Sequence, residues 1–138
     1  MIAEIALFAV SGRLPQWLGP TALLMLGGAG GVVRWTAMAL DPPAVALPLL
    51  QCLHALSFCA THLGAVSFVS RAAPSGIAAT AQGYLAIALG AVMAASMGLS
   101  GLLYAAFGSR AYAAMALAAL AGGACAFLAH RLRCVVAL

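Results

Sequence analysis

The chain has 138 residues, of which 6% are charged and 66% hydrophobic, and its mean hydropathy is +1.14. An ordinary globular protein is about one quarter charged, so this composition excludes a water-soluble domain, whose surface needs more polar residues than are present. All six cations are scattered arginines, which do not form the dense basic patch that nucleic acid requires. We therefore expect the lipid bilayer as the main solvent, and no nucleic-acid partner.

The apolar stretches predict membrane-spanning helices. Only helices and closed barrels satisfy the hydrogen bonds of their backbone in lipid. These stretches are too long for barrel strands, and they lack the alternation of apolar and polar residues that barrel strands show. We predict an all-α integral membrane protein that forms a single transmembrane region over residues 1–138. Turn-forming residues at 41–43, 73–76 and 108–110 divide it into four complete spans, at about 21–40, 44–70, 77–107 and 111–128.

A shorter apolar segment, residues 2–10, precedes the first complete span. It is too short to cross a bilayer, which needs roughly 20 residues, and it has neither the cationic leader nor the cleavage site of a signal peptide. We interpret it as a truncated N-terminal helix, the tail of a helix whose beginning is missing. It carries Glu4, which is a proton-carrier or ion-pair candidate if the helix is complete in a parent protein.

The first complete span contains a glycine run and one arginine. The run Gly27–Gly31 lacks both the preceding strand and the following Lys-Ser/Thr of a phosphate loop, so it predicts a close-packed helix segment. Arg34 is costly inside a membrane, and its planar fork suits a carboxylate. We expect it to bind an anionic substrate or to pair with an acid on another helix. The alternative is that it extends to the outer surface beside Trp35.

The second span carries polar residues on one helical face. At 100° per residue, Gln51, His54 and His62 share an arc with Ser57 and Thr61. Lipid offers these groups no partners, so they must face the bundle or a hydrated cavity. We assign the two hydroxyls to packing, because they can bond to carbonyls of their own helix. The amide and the imidazoles are assigned to a substrate or proton pathway, with interhelical hydrogen bonding as the alternative.

The third span carries small residues every fourth position. They are Ala86, Gly90, Ala94 and Gly98, and such a ladder lets another helix approach closely.

The cysteines and histidines do not predict a metal, a cofactor or a catalytic site. Cys52 and Cys59 lie about 10 Å apart along one helix, too far for a disulfide, and we interpret all four cysteines as small buried hydrophobic residues. His54 and His62 are more than two turns apart, too far to chelate one metal readily. The sequence shows no combination of a nucleophile, a base and an acid that would predict a catalytic site, so the chain is not expected to be an enzyme.

The arginines predict the orientation in the membrane. With alternating loops, four of them fall on one side: Arg13, Arg71, Arg131 and Arg133. Arg110 and Asp41 fall on the other. Since cytoplasmic loops carry the excess of arginine, we predict a multi-pass protein of the bacterial inner membrane with a cytoplasmic C-terminus.

Five strings of the sequence also resemble a known family. In chain order they are Ala3–Phe8, Gly31–Trp35, Leu53–Phe58 with His62–Ala65, Ala81–Tyr84, and Gly101–Tyr104 with Gly108. Their order and spacing are similar to the C-terminal part of phenylpropionate-permease-like (MFS_1-like) transporters of the major facilitator superfamily.

The resemblance implies that residues 2–10 are the end of the eighth helix and that the four spans are the ninth to twelfth, the last helices of the C-terminal half. It also implies a cytoplasmic C-terminus, and that Glu4, Arg34, His54 and His62 occupy the family's intramembrane polar positions. Such transporters consist of two six-helix halves with the substrate between them, so the implied partner is a missing N-terminal half.

We therefore predict a fragment of a secondary active transporter that takes up a small organic or aromatic acid with protons. His54 and His62 would orient substrate or relay protons, while Glu4 and Arg34 would contribute charge. One alternative is a non-transporting small helical membrane subunit or scaffold. Another is a small multidrug exporter that dimerises around one acid, which is disfavoured because residues 2–10 are too short to bury Glu4 at mid-membrane.

Overall fold

The computed structural model describes residues 2–10 and 18–136, and nearly all of them are helical. The helices are α1 (Ile2–Val10), α2 (Pro20–Ala39), α3 (Leu47–Ala72), α4 (Ala78–Phe107) and α5 (Tyr112–Val136), with 3-10 turns at Ala44–Ala46 and Gly108–Ala111. The predicted all-α fold is confirmed. Arg13 and the rest of the linker lie outside the described residues, as do the side chains of Arg133 and Cys134.

Prolines set several of the helix ends. Pro20 begins α2 directly after the extended Gly19, a position where its missing N–H is not needed. At the end of α3, Ala73 is extended (φ −69°, ψ 135°) because the following Pro74 disfavours helical backbone there. The helix ends agree closely with the predicted spans. The exception is α5, which continues to Val136 instead of ending near residue 128.

The number of membrane-spanning stretches differs from the prediction. Among the described residues, three stretches are long and apolar enough to cross a bilayer: Pro20–Ala39, Ala44–Ala72 and Ala78–Leu132. The predicted count of four is corrected because the third stretch contains both of the last two predicted spans, and the break between them is itself a 3-10 helical turn. Within this stretch α4 and α5 are distinct helices, since Gly108 adopts a left-handed φ of +57°.

Helix α2 is the centre of the packing, with α3 and α5 on either side of it. Its glycines allow this close approach. A Cβ added at Gly28 would lie 3.0 Å from the Cα of Gly123 in α5, and one added at Gly27 would lie 2.9 Å from the backbone nitrogen of Thr61 in α3. Small residues let helix backbones approach in this way. The interpretation of the glycine run as a close-packed segment is confirmed.

Helix α4 has a different environment from that of α2. Near its start, the Gln82 amide donates hydrogen bonds to the Val66 carbonyl (2.9 Å) and the Ser70 hydroxyl (2.8 Å) of α3. None of the α4 residues, all of which are described, is buried. At Gly90 and Gly98 no atom of the described chain lies within 4 Å of an added Cβ. Ala86 and Ala94 are exposed as well. The packing of another helix against this ladder therefore stays a prediction, and it concerns a helix outside the described residues.

A side-chain hydrogen bond joins α2 and α5 where α2 begins. The Thr21 hydroxyl lies 3.1 Å from Nδ1 of His130, and Thr21 is buried. We expect Thr21→Val to lower the free energy of unfolding by about 0.5–1.5 kcal/mol, because it removes the hydroxyl and keeps the shape. Equilibrium unfolding in mild detergent measures this, with Thr36→Val on the exposed side of α2 as the control. An equal loss in both variants would contradict the prediction.

Candidate functional site: a polar cluster on three helices

An acid and an imidazole meet between α1 and α3. Oε1 of Glu4 lies 3.6 Å from Nε2 of His54, and 27% and 35% of the two side chains are exposed. The distance is longer than a direct hydrogen bond, and the attraction is that of an ion pair when the imidazole is protonated. The structure therefore brings together two of the predicted site residues, which are 50 positions apart in the sequence.

Aromatic rings extend this contact along α3. Phe8 of α1 meets Phe58 edge-on at 6.4 Å and His62 edge-on at 5.9 Å, measured between ring centroids. The ring of His62 stacks on that of Phe58, with 6.0 Å between the centroids. The ring of His54 also contacts Phe58, with 5.9 Å between the centroids. His62 is thus exposed and placed among rings, whereas His54 is placed beside a carboxylate.

The other three polar residues that share the predicted face of α3 fall into two groups, the hydroxyls and the amide. The Ser57 hydroxyl donates to the carbonyl of His54 (3.0 Å), and the Thr61 hydroxyl donates to the carbonyl of Ser57 (2.8 Å). Both hydroxyls therefore bond to their own helix, as the sequence favoured. Gln51 is exposed near the start of α3 and is not among the residues that line the groove described below.

Arg34 is buried within the helix packing rather than extended to the surface. Its exposed fraction is 9%, and its guanidinium lies 4.1 Å over the ring of the adjacent Trp35. Its Nε is buried without a hydrogen-bond partner among the described residues. Trp35 in turn stacks on Tyr112 of α5 at 5.5 Å. Arg34 therefore lies beside Trp35, and its role in binding an anion stays a prediction.

A groove of about 590 Å³ runs along α2 between α3 and α5. Arg34, His54, Ser57 and Thr61 are its polar lining, and glycines of α2 and α5 form much of the remainder. A volume of this size suits a small molecule. Glu4 and His62 are not part of this lining, so the predicted site residues are divided between the groove and the α1–α3 contact.

The α5 wall of the groove is not predicted from the sequence. Gly122, Gly123 and Cys125 line it, and no local pattern signals a contact between helices so distant in the sequence. The prediction for the cysteines is partly wrong: Cys59 is buried, but Cys52 and Cys125 are exposed. Within the described residues, no group of three or more His, Cys, Asp or Glu side chains is placed to hold a metal ion.

Comparisons with known proteins identify the family. The family model described as "MFS_1 like family" matches residues 1–114. The chain belongs to the MFS_1 like family. A protein of Escherichia coli (strain K12) named "Probable 3-phenylpropionic acid transporter" is 30% identical over 120 residues, which are 87% of this chain and 32% of the relative. The chain thus spans about one third of the length of the curated relative it matches. No solved structure matches it significantly.

Membership of the MFS_1 like family confirms the resemblance drawn from the five sequence strings. The matched residues contain the whole of α1 to α4, and with them Glu4, Arg34, His54 and His62. They include only the first three residues of α5, so the α5 wall of the groove lies beyond the match. The name of the Escherichia coli relative refers to a transporter, which supports the expectation that an MFS_1 like chain is not an enzyme.

Proposed function

We propose that this chain is the C-terminal part of a secondary active transporter of the bacterial inner membrane, which takes up a small organic or aromatic acid together with protons. The observation that carries the proposal is the approach of Glu4 to His54 at 3.6 Å. Ionisable groups inside membrane-spanning segments are costly and mark proton or substrate pathways. Histidine is suited to this role because its unperturbed pKa of about 6.5 lies in the physiological range.

Arg34 supplies the link between proton and substrate. It lines the same groove as His54, and its positive charge repels the protonated imidazole. An anion bound at Arg34 screens that repulsion and therefore favours protonation of His54. Because coupling between two ligands is reciprocal, a proton on His54 favours binding of the anion in turn. This arrangement favours loading of an acid anion and a proton together.

Packing supports the proposed partner and orientation. Helix α4, which has no buried residue, offers its small-residue ladder to a missing N-terminal half. Gly64 of α3 approaches Pro20, and His130 of α5 approaches Thr21, so the C-terminal ends of α3 and α5 lie where α2 begins. Arg71 lies seven residues beyond Gly64, and Arg131 lies one residue beyond His130. Both arginines then share one side, which we assign to the cytoplasm because cytoplasmic loops carry the excess of arginine.

The test begins with the DNA upstream of the codon for Met1, which we expect to continue the reading frame through the remaining spans. Cells without their own phenylpropionate uptake should accumulate radiolabelled 3-phenylpropionate when they express that complete frame, more at pH 6 than at pH 8, a range across which histidine changes charge. Cells with empty vector measure passive diffusion of the protonated acid. No upstream frame, together with no uptake above vector, would support the scaffold alternative, for which the exposed α4 is the favouring observation.

A further inference from the structure

A second groove, which we call the α4 groove, lies between the outer part of α4 and the helices α2 and α5. Its volume is about 560 Å³. One wall is a face of α4 that runs from Leu89 to Tyr104, and the other consists of Trp35 of α2 with Tyr112 and Met115 of α5. Trp35 is the only described residue that lines both this groove and the one beside α3. The two grooves are therefore distinct.

Contacts at both ends of α4 fix the width of this groove. Near the start of the helix, the Gln82 amide bonds to α3. Near its end, the ring of Tyr104 lies 6.0 Å from that of Tyr112, which in turn stacks on Trp35 at 5.5 Å. Between these contacts none of the α4 residues is buried, although all of them are described. The middle of α4 is thus held beside α2 and α5 with an apolar gap between them.

The length of the groove favours a helix over a lipid tail as its occupant. From Leu89 to Leu103 the α4 wall is about 21 Å long, at the helical rise of 1.5 Å per residue. A lipid tail reaches about 15 Å, which is half of a hydrocarbon core of about 30 Å. The groove therefore extends through more than one leaflet. A membrane-spanning helix fills such a length, and a single lipid tail does not.

Two serines in the α4 wall favour a helix as well. Ser96 and Ser100 lie about one turn apart in the lining of the groove. The Ser100 hydroxyl donates to the Met97 carbonyl at 2.9 Å, and its oxygen can still accept a hydrogen bond. A lipid tail offers no donor, whereas small and hydroxyl residues one turn apart are typical of close contacts between membrane helices. Met93 and Met97 beside them can adapt to an irregular partner surface.

The groove face of α4 is not the face that carries the small-residue ladder. At 100° per residue, the centre of the groove face lies about 120° from the centre of the ladder, which runs from Ala86 to Gly98. A partner helix covers a stripe about 100° wide. The two faces of α4 therefore call for two different partners.

We propose that the α4 groove is the seat of one membrane-spanning helix from the remainder of the protein, with small or hydroxyl residues against Ser96 and Ser100. This helix is distinct from the partner of the ladder, so α4 lies between two absent helices. The inference rests on the proposed function for the existence of that remainder. Since the chain spans about one third of the length of its curated relative, most of such a protein lies outside it.

Photo-methionine, a diazirine analogue of methionine, tests the groove in the native sequence. Met93, Met97 and Met115 line the groove, whereas Met25 of α2 does not. Cells that express the complete reading frame incorporate the analogue, their membranes are irradiated, and mass spectrometry identifies the cross-linked peptides. We expect the three groove methionines to link to one and the same peptide from outside residues 1–138. Met25 should not link to that peptide.

Ile87→Met supplies a matched probe on the other side of α4. Ile87 is exposed and lies about 160° from the centre of the groove face, and the exchange changes the side-chain volume little. The new probe should not link to the peptide that the groove methionines capture, while the links of Met93 and Met97 should be retained.

Several results would overturn the proposal. They are links from the groove methionines to lipid alone, links to a second copy of residues 1–138, and the absence of any link to a peptide from outside this range. Capture of the same peptide by Ile87→Met or by Met25 would show that the groove face has no partner of its own. Uptake without the link would refute the seat and keep the transport proposal, and the link without uptake would do the reverse.

Discussion

Uptake of 3-phenylpropionate by the complete protein should fall at least tenfold when Glu4 is replaced by glutamine, a loss of about 1.4 kcal/mol or more in coupling. Glutamine keeps the size of the side chain but removes the charge that faces His54 at 3.6 Å, so the protonated imidazole loses its counter-ion. The dependence of uptake on pH between 6 and 8 should become shallow for the same reason. Initial rates with radiolabelled acid measure both effects.

His62→Phe tests whether the second predicted histidine shares the role of the ion pair. It keeps a ring against Phe8 and Phe58 and removes an imidazole that lies outside the ion pair. We expect it to retain most of the uptake, while His54→Ala should behave like Glu4→Gln. Equal losses in the His62 and Glu4 variants, or a normal pH profile in Glu4→Gln, would show that the pair does not carry the proton.

Gly64→Val should disrupt the contact between α2 and α3. An added Cβ would lie 3.0 Å from both the Leu24 nitrogen and the Pro20 carbonyl oxygen, and 2.9 Å from Cγ of Leu24. Backbone atoms cannot move aside without separating the helices, so we expect destabilisation of about 3 kcal/mol, at the upper end for overpacking. The loss should appear as a lower Tm and reduced monodispersity in detergent.

Gly90→Val provides the comparison for Gly64→Val. It makes the same change on α4, where an added Cβ meets no described atom within 4 Å, so the Tm of the isolated chain should change little. In the complete protein the same variant tests the ladder: a loss of assembly there, with no loss in the isolated chain, would support a docked helix. A Gly64 variant as stable as the Gly90 variant would contradict the packing described for α2.

The sequence predicts the local features of this molecule well because they depend on neighbouring residues. Hydropathy and length locate the helices, and Pro20 and Pro74 mark their ends, since proline acts on the backbone beside it. The close packing of Gly27–Gly31 follows from the small size of those residues. The length of α5 was underestimated because Arg131 and Arg133 resemble a loop, although arginines at a helix end can stay helical beside the membrane surface.

The candidate site was predicted one residue at a time. Glu4, Arg34 and His54 were identified because each is costly in lipid, but helical periodicity relates only residues within one helix. The pairing of Glu4 with His54, the stacking of Trp35 on Tyr112, and the α5 wall with Gly123 depend on how helices pack. Such contacts are decided by side-chain fit over the whole bundle, which leaves no spacing to read in the sequence.

The contact between Gly28 and Gly123 also determines when the packing of α2 can be completed during synthesis. The two residues are roughly 95 positions apart, so at about 5–20 residues per second the ribosome needs about 5–20 s to deliver the second after the first. During that interval α2 has α3 beside it but must expose its other glycine face to the translocon or to lipid. A ribosome that stalls within α5 would therefore release a membrane protein whose central helix is open on one side, a form that membrane quality control can recognise.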